Sequence, residues 1–207
     1  MPLLERAGHR AVAMDLPCED NGATFSDYAD VVTRAVENAD ELVLVGHSLA
    51  GLTIPLVAAR RPVRRLVFLC AVLPLPGRIP FGPDPTAPEA TAPGLELVDH
   101  EDRTYTFTAA SASTHLYNRC APSDVVWATS RLRRQSRTPN RETCPLTVWP
   151  DAPRTYILAS DDQIVLPDYA RHVARSRGGI EPLEIDSDHS PFLSNATALA
   201  RLLISLA

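Results

Sequence analysis

The sequence contains no lysine, so all 20 of its basic residues are arginine. The chain therefore has no ε-amine for a Schiff base, for anchoring pyridoxal phosphate or for a Walker-type phosphate site. It also lacks a run of ~20 apolar residues that could span a membrane, and its N-terminus has no apolar signal-peptide core. From these absences we predict a cytoplasmic protein with no cofactor and no membrane association.

Cysteine and positive charge are also scarce. The four cysteines are scattered and form no C-x-x-C pair, which disfavours a zinc site or a redox motif and predicts reduced thiols. The formal net charge is −5, which is unfavourable for a general nucleic-acid binder. Asp186, Asp188 and His189 lie close together in sequence, but no second histidine stands at ligand spacing, so no metal site is predicted.

The 207 residues are 45% hydrophobic, as expected for one domain with a real core. Short apolar runs alternate with helical patterns. The predicted strands are His9–Leu16, Glu41–Val45, Arg65–Val72, Arg154–Ala159 and Ile180–Ile185. The predicted helices of the same part are Ser26–Asn38 with Ser26 as N-cap, Leu49–Arg60, Pro167–Arg177 and Thr197–Leu206. Nearly continuous apolar strands alternating with helices predict an α/β fold, with a mostly parallel sheet covered on both faces.

The middle of the chain departs from this alternation. Seven prolines fall between Pro74 and Pro93, which excludes a regular helix or a central strand there. A further helix is predicted over Ser123–Arg134. We therefore divide the chain into a first part of the core at 1–74, a cap insertion at 75–150 and the rest of the core at 151–207.

One motif carries chemistry. The strand Glu41–Val45 runs directly into the sequence G-H-S-L-A-G, residues 46–51, and then into a helix. This strand–turn–helix context is that of a nucleophile elbow, a tight turn that holds a serine in a strained conformation above the sheet. Small residues are needed two positions either side of the serine, and Gly46 and Ala50 meet that need. The turn would present Ser48 as a nucleophile and aim the backbone N–H of Leu49 at a developing oxyanion.

A serine nucleophile needs a general base, and the base needs an acid that orients it. In the fold that uses this elbow, the chain order is serine, acid, histidine. The sequence supplies that order. The loop S-D-D-Q-I-V-L-P, residues 160–167, follows one predicted strand, and D-S-D-H-S-P-F, residues 186–192, follows the next. Both loops would lie at the carboxyl ends of parallel strands, where sites in such sheets gather.

These segments, with P-L-L-E-R-A-G-H-R-A-V-A-M-D-L-P near the start and V-F-L-C-A-V-L-P after the elbow, resemble the α/β-hydrolases. The resemblance is to the small esterase branch that includes the plant methyl-ester esterases and the hydroxynitrile lyases. It implies that Ser48 is the nucleophile and His189 the general base. It implies Asp162 as the acid, since the family's acid lies five residues before the proline that opens the next helix, here Pro167. Asp161 is the alternative acid.

Two features separate this chain from the branch it resembles. In the lyases a lysine follows the catalytic histidine, whereas Ser190 follows His189 here, which favours ester hydrolysis. Members also begin with a strand and a His-Gly-type turn that supply a second oxyanion N–H. This sequence starts inside the following helix, roughly 20–30 residues later by usual element lengths. We therefore expect either an internal start within a longer protein or a truncated chain with reduced activity, because a lost donor costs ~10²–10³ in rate.

The resulting hypothesis is a serine hydrolase that cleaves small carboxylic esters through an acyl-enzyme. The alternatives are a catalytically impaired hydrolase-like binding protein and a lyase of the same fold. His47 is expected to pack near the elbow, with contact to the substrate as the alternative. Strand edges left unpaired by the absent strand invite pairing, so a homodimer is a further expectation.

Overall fold

A computed structural model describes all residues, 1–207. The core contains the strands β1 Val43–His47, β2 Arg65–Leu69, β6 Arg154–Ala159 and β7 Leu183–Ile185, and the helices α1 Pro2–Arg6, α2 Phe25–Ala35, α3 Ile54–Ala58, α7 Pro167–Gly178, α8 Pro191–Ser194 and α9 Ala196–Leu206. The middle segment contains the strands β3 Leu97–Asp99, β4 Thr104–Phe107 and β5 Gln135–Ser136, and the helices α4 Ala109–Ser111, α5 Pro122–Thr129 and α6 Thr138–Arg141.

The core strands form one parallel sheet in the order β1-β2-β6-β7. One face packs against α2, α3 and α7, with Phe68 and Leu158 in the buried cluster, and the other face packs against α9 through Val67 and Ile157. Because both faces are covered, the two central strands, β2 and β6, have little exposed surface and read as nearly continuous apolar runs. The predicted parallel sheet with helices on both faces is confirmed.

Helix α2 shows how local sequence sets an element. Its N-cap is Thr24, not the predicted Ser26, and Thr24 and Asp27 form a capping box in which each side chain accepts a hydrogen bond from the other's backbone N–H. The two chemically similar hydroxyl residues stand two positions apart, and the box with Asp27 at the third helical position favours Thr24. Phe25 and Ala29 are among the residues that the helix buries against the sheet.

The predicted strand His9–Leu16 is wrong. The segment has no regular secondary structure, and no backbone N–H of residues 10–16 donates to a backbone carbonyl. A strand needs a neighbouring strand for its hydrogen bonds, and here none lies beside it. An apolar groove of about 1070 Å³ runs between this segment and β1.

The outer edge of β1 lies on that groove. Cys70 N–H donates to Ile157 C=O in β6, so the backbone groups of Cys70 point toward β6. Backbone groups alternate in direction along a strand, so those of Val67, three residues earlier, point toward β1. Val67 lies opposite Val45 in the register of the two strands, so the backbone groups of Val45 point away from β2. No strand pairs with β1 on that outer side. The Val45 side chain is 41% exposed. The edge beside the nucleophile turn is thus open to solvent.

The middle segment is irregular over the proline-rich stretch, as predicted, and then forms a three-stranded antiparallel sheet in the order β3-β4-β5. This sheet was not predicted from the sequence, because its strands are only two to four residues long. The predicted helix Ser123–Arg134 is observed as α5, which ends at Thr129. A small apolar cluster of this segment, including Leu116 and Tyr117, packs against Ile164 and Leu193 of the core.

The helices carry no stretch that combines the length and the apolar character needed to cross a membrane.

Candidate active site

The turn after β1 is built as a nucleophile elbow requires. Ser48 has φ +53°, in the left-handed region that is costly for any residue with a Cβ. A Cβ on Gly46 would stand 2.8 Å from the carbonyl oxygen of Ala50, and a Cβ on Gly51 only 2.3 Å from that of Val72. The backbone can therefore take this path only with glycine at both positions. A small residue was expected at position 46 from the elbow motif. The requirement for glycine at position 51 comes from the close approach of the chain after β2.

The segment after the elbow differs from the predicted helix Leu49–Arg60. The chain forms a 3-10 turn over Ser48–Leu52 and then the short helix α3. Leu49 is the second residue of the 3-10 turn, so its N–H has no acceptor within that turn. The Ser48 carbonyl accepts a hydrogen bond from Val72 N–H at 3.1 Å, which ties the elbow to the end of β2.

The three side chains expected to act together meet at the carboxyl end of the sheet. Ser48 Oγ lies 3.0 Å from His189 Nε2, and His189 Nδ1 lies 2.9 Å from both Oδ1 and Oδ2 of Asp162. His189 and Asp162 are both buried. The protonated Nδ1 donates to the carboxylate, which leaves Nε2 free to accept the proton of the serine hydroxyl. The arrangement is a continuous hydrogen-bonded chain from the Ser48 hydroxyl through the imidazole of His189 to the Asp162 carboxylate.

Asp162 is fixed by its own loop. Its Oδ1 accepts the backbone N–H groups of Ile164 at 2.8 Å and Val165 at 2.9 Å. Asp161 points elsewhere, because its Oδ1 accepts a hydrogen bond from the Gln163 amide at 3.0 Å. Of the two aspartates that the sequence offers, Asp162 is the one in contact with His189.

His47 braces the histidine loop from the elbow side. Its Nε2–H donates to the His189 carbonyl at 2.7 Å, and its ring lies between His189 and Phe192, with centroid distances of 4.7 and 5.0 Å. Burial lowers the pKa of His47 to about 3, and the neighbouring His189 adds to this effect. His47 is therefore a neutral hydrogen-bond donor near neutral pH, in line with the expectation that it packs near the elbow.

The pKa of His47 makes stability depend on pH. The unfolded chain takes up a proton near pH 6.5, but the folded chain does so only near pH 3, so acidification favours unfolding over that window. Between pH 7 and pH 4.5 this group should cost about 2–3 kcal/mol of the free energy of unfolding. Urea unfolding at both pH values should show a smaller acid loss for His47→Gln, whose amide donates but does not titrate. Equal acid losses in the two proteins would contradict this origin.

The residues around the histidine loop have roles that were not predicted from the sequence. Asp188 was considered only as a metal ligand, whereas its carboxylate is buried and accepts hydrogen bonds from both the core and the middle segment. Burial also raises the pKa of Cys70, beside the acid loop, well above its usual value, so this thiol stays protonated. No sequence signal marks the role of Asp188, because it depends on contacts between distant segments, whereas the burial of Cys70 agrees with its place in the predicted strand Arg65–Val72.

Comparison with known proteins defines the class. Residues 1–202 match the model of the alpha/beta hydrolase family, and the chain belongs to that family. It is 28% identical to a probable esterase, PIR7A, of Oryza sativa subsp. japonica, over 99% of this chain and 88% of that protein. It is 27% identical to an alpha-hydroxynitrile lyase of Arabidopsis thaliana, over 100% of this chain and 89% of that protein.

Among solved structures, a pyrethroid hydrolase from Sphingobium faniae JZ-2 superposes with a TM-score of 0.79 at 23% identity, covering 99% of this chain and 88% of that one. This likeness shows the fold, which is that of an α/β-hydrolase. The esterase relatives support hydrolase activity in general terms.

Proposed function

We propose that the protein is a serine hydrolase that cleaves small carboxylic esters through an acyl-enzyme intermediate. The observation that carries the proposal is the hydrogen-bonded chain Ser48–His189–Asp162, at 3.0 and 2.9 Å, on a strained elbow at the carboxyl end of the sheet. A serine hydroxyl becomes a useful nucleophile only with such a base and an acid that fixes the tautomer of that base.

The geometry supports a two-stage reaction. Ser48 Oγ attacks the ester carbonyl while His189 Nε2 takes its proton, and the negative oxygen is stabilised by Leu49 N–H. His189 then returns the proton to the leaving alcohol as the ester C–O bond breaks, which leaves an acyl group on Ser48. Water then attacks the acyl group while His189 takes a proton from the water. The carboxylic acid product departs as His189 returns the proton to Ser48 Oγ.

The apolar surroundings favour a small, uncharged ester. The cluster around Leu116 and Tyr117 packs on Ile164, two residues after Asp162, and on Leu193, four residues after His189. Aliphatic and aromatic side chains thus lie against both loops that carry the base and the acid. Apolar surroundings of this kind suit methyl or aryl esters better than a charged substrate.

Lyase chemistry is the second candidate, since an α-hydroxynitrile lyase is among the relatives. In the resembling lyases a lysine follows the catalytic histidine, whereas Ser190 stands there and the chain has no lysine at all. With Ser190 in place of that lysine, no lysine cation lies beside the base to stabilise departing cyanide. Hydrolysis is therefore the function that we propose.

A fluorophosphonate probe tests the proposal directly, together with p-nitrophenyl acetate turnover. We expect stoichiometric labelling of the native protein and none after heat denaturation. Trypsin cleavage after Arg34 and Arg60 releases a peptide whose single serine is Ser48, so mass spectrometry assigns the adduct without ambiguity. Absence of both labelling and turnover would favour the alternative of an impaired, hydrolase-like binding protein.

We also propose a cytoplasmic location, since all four cysteines are unpaired. A homodimer remains a proposal as well, supported by the open outer edge of β1.

A further inference from the structure

Three consecutive residues of the middle segment are bonded to the two core loops that carry the base and the acid. The Asn118 amide donates to the Asp161 carbonyl at 3.1 Å, in the acid loop. Arg119 N–H donates to Asp188 Oδ2 at 3.0 Å, and the Cys120 thiol donates to the same oxygen at 3.4 Å. We call residues 118–120 the clamp.

Asp188 is the point where the clamp meets the histidine loop. Its carboxylate is fully buried, although it directly precedes His189 in a polar loop. The second oxygen, Oδ1, accepts Ser190 N–H at 3.0 Å and the Ser194 hydroxyl at 2.7 Å. One oxygen therefore accepts from the clamp, and the other accepts from Ser190, just before α8, and from Ser194, the last residue of α8.

A buried carboxylate is costly unless donors surround it, and here four donors do so. That cost has a structural use. Each donor is satisfied only when the clamp, the histidine loop and α8 hold one relative arrangement. The elbow side of the same loop is held by the His47 bond to the His189 carbonyl, so His189 is held from both sides.

We propose that Asp188 is a positioning residue that couples the clamp to His189 and thereby keeps the imidazole in line with Ser48. The inference rests on the proposed function, since its readout is the hydrolytic rate. Asp188 touches neither the nucleophile nor Nε2, so it acts on the reaction through the placement of His189.

Asparagine is the sharpest replacement because it keeps the shape and changes the bonding. Its amide offers one acceptor oxygen and one NH₂ group, so the NH₂ must face one of the two donor pairs. Either the clamp or the pair of Ser190 and Ser194 then loses its acceptor. A matched control severs a different contact between the same segments. The ion pair of the Arg119 guanidinium with Asp186 is exposed, and Asp186→Asn removes it without touching Asp188.

The test compares kcat and KM for p-nitrophenyl acetate in wild type, Asp188→Asn and Asp186→Asn, with amide hydrogen exchange at residues 118–120. We expect Asp188→Asn to lower kcat about tenfold or more, to change KM less than about threefold, and to speed exchange at Arg119. Asp186→Asn should stay within about twofold of wild type. A folded Asp188→Asn with wild-type kcat would overturn the proposal.

A second pair of variants decides the matter if Asp188→Asn does not fold. Cys120→Ser keeps a donor to Asp188 and Cys120→Ala removes it, with little change in volume. We expect kcat to fall in the alanine variant and to be restored in the serine variant; equal kcat values in both would overturn the coupling. Wild-type protein without turnover or probe labelling would instead count against the proposed function itself, so the two failures are distinguishable.

Discussion

Replacement of Ser48 by alanine is expected to lower kcat for p-nitrophenyl acetate by a factor on the order of 10⁴ or more. The substitution removes the hydroxyl oxygen that lies 3.0 Å from His189 Nε2, and with it the proposed acyl-enzyme route. Any residual rate would come from the remaining base and from the oxyanion donor acting on water.

This chain makes the measurement unusually clean. Activated esters acylate lysine side chains non-specifically, and the sequence has none. Ser205→Ala is a matched control, because Ser205 is an exposed serine in α9 whose hydroxyl donates only to the preceding turn. Ser48→Gly controls for the backbone, since glycine accepts the φ of +53° without strain. Turnover in both Ser48 variants equal to that of the wild type would refute the nucleophile.

Replacement of Asp162 by asparagine is expected to lower kcat about 10⁴-fold while the fold is kept. Asp162 Oδ1 accepts the N–H groups of Ile164 and Val165 and also faces His189 Nδ1, whereas Oδ2 accepts no backbone N–H. The oxygen of an asparagine is expected to stay with the two backbone donors, which places its NH₂ group at the Oδ2 position, 2.9 Å from His189 Nδ1. His189 Nδ1 then becomes a hydrogen-bond acceptor, and the ring proton moves to Nε2. The imidazole is then no longer able to take the proton of Ser48.

Asp161→Asn is the control, since it makes the same chemical change one residue away. Asp161 is half-buried and bonds to Gln163 and not to His189, so we expect kcat within about twofold of wild type. Circular dichroism and thermal unfolding check that both proteins fold. A large loss in Asp161→Asn with an active Asp162→Asn would reverse the assignment and make Asp161 the acid.

Part of the candidate site could be predicted from the sequence. The elbow at 46–51 and the order of Ser48, the two aspartates and His189 could be read from the chain, because a tight turn imposes small residues and a parallel sheet gathers its loops at one edge. The choice of Asp162 over Asp161 rested on resemblance. Only the folded loop separates them, by turning one carboxylate toward His189 and the other toward Gln163.

The segment His9–Leu16 shows the opposite case. Its apolar pattern predicts a strand, yet it pairs with nothing. A strand is a property of two neighbours, since its backbone groups need partners, and the pattern of one segment reports only its own side chains. For the same reason, the requirement for glycine at position 51 was not predicted, since it comes from the close approach of the Val72 carbonyl.

The sequence by itself thus determined the fold class and the chemical groups of the site, because both follow from local periodicity and from short motifs with strict steric demands. The tertiary structure alone decided which groups touch. The pairing of Asp162 with His189, the neutral His47 behind them and the buried Asp188 that joins the clamp to the histidine loop all depend on contacts between segments far apart in the chain. Hydrogen bonds act over about 3 Å, and that proximity is created only when the chain folds.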